Sequence, residues 1–205
     1  MPDQLPSVLI LGIDPSSGVD TSRSVTGLAL LRVSLSGRPV LVGHAACFPQ
    51  TKHDDPITKR VLRLAETSED VYAWVSSFGT VDAIGYEQPY MDPQRKNWTY
   101  EALCMACGAI LCQVPLKLDG GKVYAIHAGT AKAIYNAGGK PREEAKALCM
   151  AWAKQSYHLP EMDAVSLEAI ADALAVAEVA VSKWREDHHL QRALFGKGSG
   201  KAVAR

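Results

Sequence analysis

The sequence carries no surplus of charge: 22 Lys and Arg stand against 22 Asp and Glu, a formal net charge of zero. That excludes the broad basic field with which many nucleic-acid binders attract phosphate, so a partner of that kind would have to be held by local patches. Long apolar runs are also missing. No stretch approaches the about 18 residues of a membrane-spanning helix, and the opening MPDQLPS lacks the basic-then-apolar order of a secretion signal. A cytoplasmic protein without a membrane segment is expected. Cysteine is sparse and odd in number, at Cys47, Cys104, Cys107, Cys112 and Cys149. The one C-x-x-C, Cys104 and Cys107, has no second pair to complete a zinc site. It lies in the apolar segment from Glu101 to Gln113, which reads as a buried helix where cysteine acts as a small hydrophobe. There is no internal repeat and no dividing linker, and 205 residues at 47% apolar content fit one globular domain.

What is present begins with "SVLILGIDPSSG" at residues 7–18. Val8 to Ile13 is a short apolar run bounded by turn formers, the pattern of a central strand, and it ends on a carboxylate, Asp14. Val25–Ser34 and Pro39–Phe48 read as two more strands, and the short links suggest an antiparallel meander. Residues 56–77 space Val61, Leu64, Ala65, Val71, Trp74 and Val75 as an amphipathic helix does. "VDAIGYEQP" is a fourth strand that also ends on an acid, Glu87, and "GKVYAIHAG" is a fifth. Helices are expected from Pro141 to about Ser156 and from about Ser166, as N-cap, to Trp184. The expected order is βββαβαβαα. Residues 8–184 would form the domain, after an extension at 1–7. A basic tail would follow at 185–205, with six Lys or Arg against two acids from Lys183 onward.

Three acids share an odd setting. Asp14 and Glu87 end apolar strands, and Asp172 sits within an alanine-rich helix, "SLEAIADALAVAEVA", with Glu168 four residues earlier on the same face. Each has an ordinary explanation: a turn at Asp14-Pro15-Ser16, a solvated strand end at Glu87, a buried Arg partner for Asp172. If the first and fourth strands are neighbours and the last helix crosses their ends, all four carboxylates meet. Clustered carboxylates repel unless protonated or bound to cations, and hard oxygen ligands select Mg²⁺ or Mn²⁺. Such a site suits phosphoryl transfer with two metal ions.

"LGIDPSSG…VTGLALL", "AIGYEQPY" and "IADALAVA" resemble, in order and spacing, the motifs of RuvC-type Holliday-junction resolvases of the ribonuclease H-like superfamily, over about residues 8–182. The resemblance implies an α/β fold with a mixed five-stranded sheet, its first three strands antiparallel and helices on both faces. It implies a homodimeric endonuclease that resolves four-way DNA junctions by paired symmetric nicks, with two Mg²⁺ per site and Mn²⁺ as a substitute. Asp14, Glu87 and Asp172 match the family's metal-binding acids. Lys132 and Arg142 match basic residues of the site, and Tyr90 matches an aromatic that stacks on junction bases.

Three departures stand out. The family's acid three residues before Asp172 is here Ala169, and Glu168 lies about 100° away around the helix, so its longer side chain is named as the fourth ligand. The first loop carries an insertion near Val19–Ser24, which leaves the placement of Asp20 and Arg23 open. With neutral net charge, phosphate binding would fall to Arg95, Lys96, Lys132, Lys140, Arg142 and the tail. An inactivated junction-binding protein and a ribonuclease H-like nuclease for hybrids or flaps are the alternatives. An actin-like kinase would need two such domains. No residue identifies a branch-migration helicase partner.

Overall fold

The structure is a computed structural model, and it describes residues 7–16, 25–90 and 98–195. Its elements are β1 (Val8–Asp14), β2 (Thr26–Val33), β3 (Val40–Cys47), α1 (Pro56–Ser76), β4 (Ala83–Glu87), α2 (Trp98–Gln113), β5 (Lys122–Ile126), α3 (Ala128–Ile134), α4 (Arg142–Tyr157) and α5 (Ala164–Phe195). The sheet order is β3-β2-β1-β4-β5. β1, β2 and β3 pair antiparallel, while β4 and β5 run parallel to β1. The sheet is the one expected from the sequence, with helices on both faces.

Alternation along β1 divides the core. Leu11 and Ile13 face α1 and α2, with Leu28, Leu30, Val71, Val75 and Ile110. Ile10 faces the other way, into a larger cluster with Ala173, Leu174, Ala177 and the inner residues of α3 and α4. α5 therefore lies between the sheet and α3 and α4. A helix covered on both sides must be apolar nearly all round, and from Ala169 to Val181 only Asp172 and Glu178 keep polar side chains.

Glycine permits the close approach of α5 to the sheet. A Cβ on Gly12 would fall 2.2 Å from the Ala173 carbonyl oxygen, and one on Gly27 would fall 1.9 Å from that of Ala169. The helix backbone rests directly on β1 and β2 at these points. Polar contacts lock the ends. Asp82 accepts from the Leu9 amide at 2.8 Å and pairs with Lys117 at the start of β1. The Ser16 amide donates to Thr26 Oγ1 at 3.1 Å just beyond Asp14.

Four expectations are corrected. His127 ends β5 early and caps an extra helix of about two turns, α3, its Nδ1 accepting from the Gly129 amide at 3.0 Å. Asp163, not Ser166, caps α5, with Oδ1 accepting from the Val165 and Ser166 amides at 3.0 and 2.9 Å. α5 does not stop near Trp184. It continues to Phe195, held by Arg185, which donates to the Ser34 carbonyl at 3.0 Å, and by Asp187, which accepts from the Tyr124 hydroxyl at 2.9 Å. Finally, α2 starts at Trp98 and is buried on one side only: Ala102, Ala106, Cys107 and Ile110 are covered, while Met105 is 50% exposed and Cys104 and Cys112 face outward.

Overpacking the α5 seam should be costly. Gly27→Ala should lose roughly 2–3 kcal/mol in urea unfolding, whereas Gly138→Ala, where a new Cβ meets nothing within 4 Å, should change stability little. Equal effects of the two substitutions would contradict the close approach.

Candidate active site

Asp14 and Glu87 are the last residues of two adjacent parallel strands, one step past the Ile13–Tyr86 pair. Ile13 and Tyr86 belong to the α1–α2 side. By strand alternation the two acids therefore turn to the opposite face, toward α5. Asp172 comes from α5, one turn beyond the contact of Ala169 with Gly27. The three acids line one cavity of about 180 Å³, together with Glu168, Lys132, Tyr135, Arg142 and Lys146. A second cavity of about 440 Å³ shares Asp14, Arg142, Lys146, Glu168 and Asp172, and adds Val25 and Ala169 to its wall.

Each acid keeps some surface open to the cavity while lying deep among protein atoms. Burial, followed by the charges of Glu87, Asp172 and Glu168, holds the Asp14 carboxyl well above the usual range. Burial and the Asp172 charge push Glu87 up to about 7, against the opposing pull of Lys132. Asp172 is raised by burial and by Glu168, while the Cys149 hydrogen bond and the charges of Lys146 and Lys132 act the other way. The Cys149 thiol donates to Asp172 Oδ1 at 3.3 Å and fixes that carboxylate's direction. Three of the acids thus resist ionisation, first because they are buried and then because acidic neighbours surround them.

Glu168 is engaged differently: its Oε1 lies 2.6 Å from Lys146 Nζ, which reaches across from α4. Among the described residues, no three His, Cys, Asp or Glu side chains are drawn together at the spacing of ion coordination. The donor set nevertheless suits a hard divalent cation. It offers carboxylate oxygens alone, and a cation among Asp14, Glu87 and Asp172 would relieve the repulsion that raises them.

Of the other residues expected at the site, Lys132 and Arg142 line the cavity. Lys140 is not part of the wall and pairs with Glu144 at 2.7 Å in the first turn of α4. Tyr90 lies just beyond β4, 64% exposed, its ring edge-to-face with His127 at a centroid distance of 6.0 Å. Arg95 and Lys96 lie outside the described residues, as do Asp20 and Arg23. Lys146, Cys149, Tyr135 and His127 escaped the sequence reading. Lys146 alone left a signal, standing four residues after Arg142 on one helix face.

The fold has solved counterparts. Thermus thermophilus RuvC in complex with a Holliday junction substrate superposes with a TM-score of 0.61 at 23% identity, covering 88% of this chain and 96% of that one. The chain has the fold of the RuvC resolvases. A Thermus thermophilus RuvC structure gives a TM-score of 0.53 at 19% identity over the same shares of the two chains. The yeast mitochondrial Holliday junction resolvase Ydc2 gives 0.50 at 12% identity, over 96% of this chain and 88% of that one. No protein-family model and no curated protein matches the sequence. At these identities the RuvC likeness is one of fold, and the chemistry has to be argued from the cavity.

The raised carboxyls predict a pH dependence. A carboxyl held up in the folded state stabilises below its unfolded pKa, and that stabilisation is lost as pH rises through the folded value. For Glu87 the loss runs from about 4.5 to about 7. With EDTA present, the melting temperature should fall across this window, and Glu87→Gln should flatten the fall and raise the melting temperature at pH 8. Parallel profiles for the two proteins would contradict the acid cluster.

Proposed function

We propose that the chain is a metal-dependent endonuclease that resolves four-way DNA junctions by paired symmetric nicks, acting as a homodimer in the cytoplasm. The reading rests chiefly on the cavity at the ends of β1 and β4, where four carboxylates and three basic side chains share one wall. Its position in a fold held in common with a RuvC bound to a Holliday junction substrate supports the choice of branched DNA.

Asp14, Glu87 and Asp172 would hold Mg²⁺ or Mn²⁺, with Glu168 available to a second ion. When bound, the ions supply Lewis-acid stabilisation of the phosphate and activation of the attacking water. The chain's own groups do the rest. β1 and β4 carry their carboxylates on rigid strand ends, which orients the scissile phosphate better than a loop would. Lys132 neutralises charge developing on the phosphate, and Arg142, at the start of α4, takes a flanking phosphate. Lys140 adds a further phosphate contact beside α4, and Arg95 and Lys96, outside the described residues, are named as phosphate-binding from the sequence alone. Tyr90 offers an exposed ring for stacking on bases at the junction, a contact indifferent to sequence.

The outer face of α2 supports the dimer. Met105, Cys112 and Ala109 border an apolar groove of about 390 Å³ against Val61 and Leu64 of α1. A second copy packed there would pair two active sites about a two-fold axis, as symmetric nicking requires. Ala169 and the Lys146–Glu168 pair favour one other reading, a junction-binding protein with weakened catalysis.

Asp14→Asn is the direct test. It should bind a labelled four-way junction within about threefold of the parent, and cut it at least roughly 10²–10³ times more slowly. Full cutting by that variant would end the proposal.

A further inference from the structure

Lys146 has no part in the scheme above, yet it is placed within it. It lies one turn after Arg142 on α4, where Ala145 is buried against α5, and its ammonium crosses to Glu168 at 2.6 Å. The pair is partly shielded, with side chains 26% and 35% exposed, and both residues border the two cavities that Asp14 and Asp172 also line. On α5, Ala169 offers only a methyl group at the position three residues before Asp172. Glu168 is thus the sole acid available to complete the site from that turn of α5, and it already has a cation.

We propose that Lys146 is a resident cation that competes with the second metal ion for Glu168. The inference rests on the metal-dependent reading and deepens it. One ion is held by Asp14, Glu87 and Asp172 at full strength. The second ion enters only by displacing the ammonium, so the two ions bind with unequal affinity. Three of the cavity's groups then act as ligands, and the fourth acts as a gate set by the α4–α5 contact.

Counting bound Mn²⁺ by electron paramagnetic resonance, without DNA, tests this. The wild-type chain should bind one ion tightly and a second at least roughly tenfold more weakly. Lys146→Met should tighten the second ion by roughly tenfold, since both the broken ion pair and the repulsion between ammonium and divalent ion disappear. Lys146→Gln should do the same, which guards against a packing defect peculiar to the Met variant. Glu168→Gln should leave the first ion unchanged, and combined with Lys146→Met it should erase the gain. A second ion unchanged or weakened in both Lys146 variants would overturn the proposal, as would two equal ions in the wild type. If no variant bound any ion, the metal-dependent reading itself would fall with it. Junction cleavage, measured separately, distinguishes the two failures.

Discussion

The close seating of α5 on the sheet is the constraint from which the rest follows. Gly12 and Gly27 remove the side chains that would hold the helix off, and Ala169, Ala173 and Ala177 present nothing larger than a methyl group in return. Glycine in a strand costs conformational entropy and leaves nothing to pack, so a strand that spends it next to a helix gains proximity instead. That proximity brings Asp172 over the end of β1. A helix seated a few ångströms higher would leave Asp14 and Glu87 as two solvated strand ends. The seam between helix and sheet therefore builds both the larger core and the cavity.

Electrostatics then shape that cavity. Asp14, Glu87 and Asp172 are each held above their ordinary titration range by burial and by neighbouring acids, Glu168 among them, while Lys132 and Lys146 oppose the effect only in part. Ionising such a cluster costs the folded chain stability, so it is not there to hold the fold together; other carboxylates make structural hydrogen bonds. Asp82, Asp163 and Asp187 accept hydrogen bonds from nearby amides or hydroxyls and sit away from the cavity. A zero net charge is compatible with this design, because the basic residues that matter, Lys132, Arg142 and Lys146, are gathered on one wall.

The fold was legible from the sequence where periodicity is strong. β1 and β4 announce themselves as short apolar runs ending on acids, and the alanine-rich run of α5 announces a helix with an apolar surface. Strand ends and an i,i+4 helix spacing, both local, marked out Asp14, Glu87, Glu168 and Asp172, but their convergence on one cavity depended on β1 lying beside β4 and α5 crossing their ends, which the sequence offered only as a condition. What was missed depends on a short local cap or on contacts between distant segments. α3 is only seven residues long and owes its start to the His127 cap. The charged stretch after Trp184 looks like a tail until Arg185 meets the β2–β3 turn and Asp187 meets Tyr124. The apolar α2 looks buried all round, but the sheet covers only one side of it. Lys146 reads as a solvated lysine, and only the packing of α4 on α5 delivers its charge to Glu168.

The most direct measurement of the central claim is cleavage of a labelled synthetic four-way junction by the wild-type chain, with Mg²⁺, with Mn²⁺ and with EDTA, beside linear duplex and RNA–DNA hybrid. The account predicts paired symmetric nicks on the junction alone, and only when a divalent ion is present. Intact junctions at every metal concentration, or preferential cleavage of the hybrid, would contradict it.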